Sequence, residues 1–296
     1  MIGKIISVLC VLITMPMLLV PTAQSDEVKI MATQITEQIY MITGKGGNIG
    51  LFIGEDGTFL IDDQFAPLTE KIVAAIKSVG GDFPKFLINT HYHGDHTGGN
   101  ENLGQGGTLI FSHDNVRERL STGFFIAEFN MKRKAVSREG LPVVTFSEDI
   151  SFHLNGDSIR VTHVPHAHTD GDSFIYFKKA NVIHTGDLFF NGFYPFIDVT
   201  HGGSLKGMIK GVDKVLSLAD DNTKIISGHG PLGDKAQLAS YRQMLEIAYE
   251  RLRKLKAEGK TSQEAVDVKP LADLEATWGD GIFKSDRWIE IIYFGI

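Results

Sequence analysis

Between His91 and His96 the chain reads HYHGDH, four side chains able to bind a metal within six positions. His91 and His93 follow the apolar run KFLINT. In extended backbone, residues i and i+2 point the same way, so both imidazoles can reach one ion. Gly94 lets the chain turn, and Asp95 and His96 can then address a second ion beside the first. Solvation of a polar loop explains such a density of ligand types poorly.

Further donors recur in Gly- or Thr-rich loops after apolar runs. VPHAHTDGDSF offers His168, preferred over His166 because Thr169, Asp170, Gly171 and Asp172 follow it. IHTGD offers Asp187, and SGHG offers His229. Imidazole and carboxylate together suit zinc, and the same mix accepts iron or manganese. His91, His93 and His168 would hold one ion and leave a position open. Asp95, His96 and His229 would hold the other, with Asp187 bridging. Two ions about 3.5–4 Å apart share a hydroxide, formed from water whose pKa falls towards about 7, which attacks a carbonyl or phosphoryl centre. Asp95 is also placed to manage a proton. His113, His153, His163 and His201 lack a neighbouring ligand pattern and read as solvated or core histidines. Asp62, Asp172 and His184 are the candidates for support of the ligands from behind.

The elements that must position these residues come in two groups. QIYMITG and NIGLFIGEDGTFLIDD form β-rich runs with an Asp-Gly turn, and LTEKIVAAIKSVGG has helical spacing with a glycine stop. KFLINT and TLIFS are short buried strands. Residues 113–140 read as mostly helical, with an aromatic patch at Phe124 and Phe125. Strands return with VVTFS, ISFHL, SIRVTHVP, SFIYFKK, NVIHTGD and KIISGHG. A long amphipathic helix over 236–259 and a terminal helical segment, DRWIEIIYFGI, follow. This order predicts an α+β fold of two sheets packed face to face with helices outside. A doubly wound parallel sheet is the alternative, but the strand-rich middle has too few crossover helices.

Residues 1–25 read as a signal peptide: Lys4, the apolar stretch Ile5–Val20, and Ala23 and Ser25 at the small-residue positions before Asp26. The expected product is one domain over 26–296, secreted, in a bacterium to the periplasm, with no membrane span left. Cys10, the only cysteine, lies in that segment, so the mature chain has neither a disulfide nor a thiolate ligand. A net charge of −7 without a basic cluster argues against nucleic acid as partner. A small molecule is the expected substrate, and the oligomeric state is open.

THYHGDHTGGN resembles the HxHxDH motif of the metallo-β-lactamase superfamily. The later motifs also occur in order: the His-Thr pair at His168, Asp187 after a buried strand, and the Gly-His-Gly at His229. The early hairpin ending in FLIDDQ is similar to the family's start. The resemblance runs from about residue 36 to 231. It implies a four-layer αββα sandwich, two zinc ions and hydrolysis by a bridging hydroxide. Asp187 stands where cysteine-ligand β-lactamases have Cys, so the ligand set looks more like those of glyoxalase II and lactonase-type members. An ester, thioester, lactone or β-lactam carbonyl is then the expected target. A true β-lactamase is the alternative, ahead of a di-iron oxidase or an inactive metal-binding scaffold. Phe189, Phe190, Phe193, Tyr194 and Phe196 could wall the site, although core packing suits most of them better. Lys206 or Lys210 could meet a substrate carboxylate, against a plainer reading as surface lysines.

Overall fold

The structure, a computed structural model, describes residues 27–296, so the expected signal peptide lies outside it. Strands β1 (Met31–Gln34), β2 (Ile39–Thr43), β3 (Ile49–Phe52) and β4 (Phe59–Ile61) pair in antiparallel succession. Parallel strands β5 (Phe86–Ile88), β6 (Leu109–His113) and β9 (Val144–Phe146) complete this first sheet. Helix α1 (Thr69–Ser78) supplies the β4–β5 crossover. Short helices α2 (Gly94–Thr97) and α3 (Asn100–Gln105) supply the next one, and α4 (Asp114–Thr122) follows β6. A detached hairpin of β7 (Phe124–Ile126) and β8 (Met131–Arg133) comes before β9.

The second sheet runs β10 (Asp149–Leu154), β11 (Asp157–His163), β12 (Ser173–Phe177), β13 (Val182–His184) and β14 (Lys224–Ile226). Its pairs are antiparallel except β13 with β14. Helix α5 (Leu205–Leu218) connects those last two. Helices α6 (Lys235–Ala257), α7 (Ser262–Asp267), α8 (Glu275–Trp278) and α9 (Ser285–Ile292) close the chain.

Alternation along single strands sets the layers. Phe59 and Ile61 of β4, and Ile88 of β5, join Ile175 and Phe177 of β12 and Ile226 of β14 between the sheets. The intervening Leu60 and Leu87 face the other way, onto Ile72 and Ile76 of α1. Phe174, Ile183 and Ile225 of the second sheet pack instead with Val212 of α5, Leu245 of α6 and Trp288 of α9. Two apolar faces per sheet therefore give the four-layer αββα sandwich expected, and the doubly wound alternative is excluded by the separate sheets.

Residues 113–140 differ from the helical expectation. The helix stops at Thr122, before Gly123 at φ 76, and Asn130 at φ 48 then turns the β7–β8 hairpin. Gly and Asn in the left-handed region punctuated a stretch whose polar composition resembles a helix. Helix α5 is an element the sequence reading missed. Its signal was present: Ser204 caps it, accepting from the Gly207 N–H, and Leu205, Met208, Ile209, Val212 and Val215 form a buried stripe.

Candidate metal centre

Five strands deliver the candidate ligands and their support at one edge of the sandwich. Asp62 follows β4, and the His91–His96 run follows β5. His168 lies in the loop leaving β11, Asp187 in the turn after β13, and His229 just past β14. Because the sheets pack with these ends together, residues 138 positions apart in sequence meet.

His91, His93, His168 and Asp187 form one group whose ligand atoms lie within 4.8 Å of one another, and Asp95, His96 and His229 form a second. Within the first, His93 Nδ1 is 3.1 Å from His91 Nε2 and 2.9 Å from His168 Nε2. Asp187 Oδ2 is 3.3 Å from His168 Nε2 and 3.8 Å from His91 Nε2. In the second, Asp95 Oδ2 is 3.3 Å from His229 Nε2 and 3.6 Å from His96 Nε2. Asp187 reaches this group too, with Oδ1 3.1 Å from His96 Nε2 and Oδ2 3.4 Å from His229 Nε2. A tetrahedral shell of ligands about 2.1 Å from an ion has edges of about 3.4 Å.

The outer ring nitrogens explain why these inward atoms are lone pairs. His96 Nδ1–H donates to Asp62 Oδ2 at 2.7 Å, and His168 Nδ1–H to the Phe196 carbonyl at 2.8 Å. His91 Nδ1–H donates to Thr90 Oγ1 at 3.0 Å, and that hydroxyl donates to Asp62 Oδ2 at 2.8 Å. His93 Nε2–H donates to Asp198 Oδ2 at 3.2 Å. Each contact fixes a tautomer and turns the other nitrogen inward as an acceptor. Acceptors facing acceptors repel unless a cation lies among them. Asp187 Oδ1 is buried and meets no donor from outside the ligand cluster, which makes the same point. The donor set therefore fits divalent metal ions.

Charge in the bare cluster is concentrated on the second group. Burial disfavours a charged His96, yet Asp187, Asp95 and Asp62 outweigh it and hold the imidazole well above its ordinary pKa. His229 is likewise opposed by burial but raised to about 9, chiefly by Asp187. His168 is lowered to about 4, first by burial. Burial would raise Asp187, but His96 and His229 hold it well below the usual carboxylate range. Ion binding must displace the protons on His96 and His229, so metal affinity weakens on acidification.

The backbone around the centre leaves no room for side chains. A Cβ on Gly47 would strike the His96 ring, and one on Gly228 would strike Asp187 Oδ1. His184, also predicted as support, donates from Nε2 to the Asn48 carbonyl at 3.0 Å and accepts the Gly186 N–H at 3.2 Å, steadying the turn that carries Asp187. Asp172 differs from its expected role. It does not reach a ligand ring; its carboxylate accepts the Thr169 N–H and hydroxyl at 2.8 and 2.5 Å, tying down the His168 loop.

Asp198 is the residue that sequence reading missed. It is fully buried and also accepts from Tyr92 Oη, Thr200 Oγ1 and His201 Nδ1. Its only signal was an Asp capping a turn before His201, and that pattern does not point back to position 93. His201 itself, read as a solvated or core histidine, is thereby part of the support for His93. His166 points away and donates to the Gly202 carbonyl. His113 and His163 stack on each other at 3.6 Å, apart from the ligands.

A cleft of about 200 Å³ opens onto His93, Asp95, Asp187 and His229. Phe190 and Phe196 line it, with Ile126, Phe129 and Met131 of the hairpin region and Ile282. The other predicted wall residues belong to the core, as Tyr194 stacking on Trp288 at 4.5 Å illustrates. Lys206 and Lys210 are exposed on α5 and do not line the cleft.

A family model described as the metallo-beta-lactamase superfamily matches residues 42–255. The chain belongs to that superfamily. A hydroxyacylglutathione hydrolase of Pelagibacter ubique is 24% identical over 147 residues, 49% of this chain and 51% of the relative, so the match spans about half that protein's length. A probable metallo-hydrolase of Bacillus subtilis is 27% identical, covering 60% of this chain and 85% of its own. Among solved structures, a metallo-beta-lactamase from Pontibacter korlensis superposes with a TM-score of 0.59 at 19% identity, over 74% of this chain and 99% of the other. Superfamily membership, the fold and hydrolase-named relatives make this a metal-dependent hydrolase. Among the described residues no helix is long and apolar enough to cross a membrane.

Proposed function

We propose that this chain is an exported, zinc-dependent hydrolase acting on the carbonyl of an ester, thioester, lactone or β-lactam. The observation that carries the reading is Asp187, whose two oxygens face both ligand groups at the floor of an open cleft. Export rests on the pattern of residues 1–25. Zinc held by the two ligand groups would lower the pKa of a bound water towards about 7 and polarise the carbonyl oxygen. The remaining work falls to the chain. Asp95, on the cleft side and with 29% of its side chain exposed, is the group that takes a proton from the attacking water and returns it to the leaving group. Phe190, Phe196 and Ile126 hold apolar parts of the substrate and exclude water.

A thioester or ester has support from the hydroxyacylglutathione hydrolase likeness, and Asp187 in place of cysteine agrees with it. A β-lactamase remains the second reading, supported by the export pattern. The test is hydrolysis of a β-lactam, a lactone, an aryl ester and a glutathione thioester by the chain from Asp26 onward, with metal analysis of unsupplemented protein. Turnover of a carbonyl substrate with bound zinc is expected. Stoichiometric iron without hydrolysis of any of the four would reject the reading.

A further inference from the structure

Arg133 has no carboxylate partner among the ion pairs of the described residues. Its Nε is buried and makes no hydrogen bond. The guanidinium lies across Gly94, so closely that a Cβ there would collide with Nη2 and Cζ. Gly94 separates His93 from Asp95, so this cation sits directly beside the metal ligands. Apart from histidine, no other basic residue lines the cleft.

That placement is unfavourable for the bare protein. A buried guanidinium nitrogen without an acceptor carries a desolvation cost, and structural arginines normally meet a carboxylate or carbonyls. Metal loading would aggravate it: two divalent ions would bring four positive charges against two ligand carboxylates, Asp95 and Asp187, and one hydroxide. An extra cation beside a positive centre is favourable when an anion is bound between them. The guanidinium fork matches a carboxylate in two parallel hydrogen bonds. Its surroundings define the rest of the ligand, because the same hairpin region brings Ile126, Phe129 and Met131 to the cleft.

We propose that Arg133 is a specificity residue that binds a carboxylate on an otherwise apolar substrate. The assignment rests on the hydrolase reading and narrows it towards acids such as half-esters and β-lactams, and away from neutral lactones. The first test is calorimetric titration of 3-phenylpropionate into the zinc-loaded protein. Arg133→Gln should raise its Kd about tenfold to a hundredfold at unchanged zinc content, with Arg133→Lys recovering part of the loss. Equal Kd in wild type and Arg133→Gln, or no binding by wild type, would overturn the assignment. The second test compares 4-nitrophenyl hydrogen glutarate with 4-nitrophenyl pentanoate. The charged-to-neutral ratio of kcat/KM should fall about tenfold or more in Arg133→Gln, mainly through KM. An unchanged ratio rejects the role for Arg133. If wild type cleaves neither ester, the hydrolase reading suffers, while the titration still decides the role of Arg133.

Discussion

His91, His93 and His168 keep at most 6% of their side chains exposed, whereas Asp95 and His229 keep 29% and 20%. All three imidazoles of the closed group are gripped from behind: by a hydroxyl, a carboxylate and a backbone carbonyl. In the other group only His96 is held in this way, by Asp62, and it is the one member with no exposed surface. One half of the centre is thus built for retention and the other for access. The cleft touches His93 and Asp187 of the first group and Asp95 and His229 of the second, and the last two are the less confined ligands beside which substrate would lie.

The largest effect should come from the residue that belongs to both halves. Asp187→Ala should lower bound metal and cut kcat about a hundredfold to a thousandfold, with the circular dichroism spectrum retained. Unchanged metal content and rate would remove Asp187 from the centre and dissolve the comparison. A smaller effect separates the halves. Asp62→Asn should weaken metal binding about tenfold to a hundredfold at both, because Asp62 holds His96 directly and His91 through Thr90. Asp198→Asn should affect only the ion held by His93. Stepwise metal titration distinguishes one weakened site from two.

The smallest effect lies outside the centre, in the stacked His113 and His163. Burial first, then the neighbouring His113, lowers His163 to about 4. An unfolded histidine takes its proton near 6.5, so between about pH 6.5 and 4 the unfolded state binds more protons and stability falls with acidification. For a half-buried ring the loss should be about 1–2 kcal/mol. Urea unfolding of His163→Gln should show a shallower pH dependence than wild type across that window; an identical slope would remove His163 as a source of the acid sensitivity.

The sheet pattern was legible because alternating residues such as Phe59, Leu60 and Ile61 each serve a different apolar layer. The ligand positions were legible because imidazoles clustered between glycines have little other use. The β7–β8 hairpin was not, since its turn depends on Asn130 adopting a left-handed conformation within a polar stretch. Asp198 and Arg133 were hidden for another reason. Each acts on the His93–Gly94–Asp95 segment from a distant part of the chain, and neither carries a local motif.

Gly47 and Gly228 contribute no ligand atom, yet a methyl group at either would displace His96 or Asp187. Related sequences can therefore keep all seven ligand residues and still have lost the centre. An inventory of ligands alone would overcount working enzymes; these two glycines offer an independent mark by which decayed copies can be recognised.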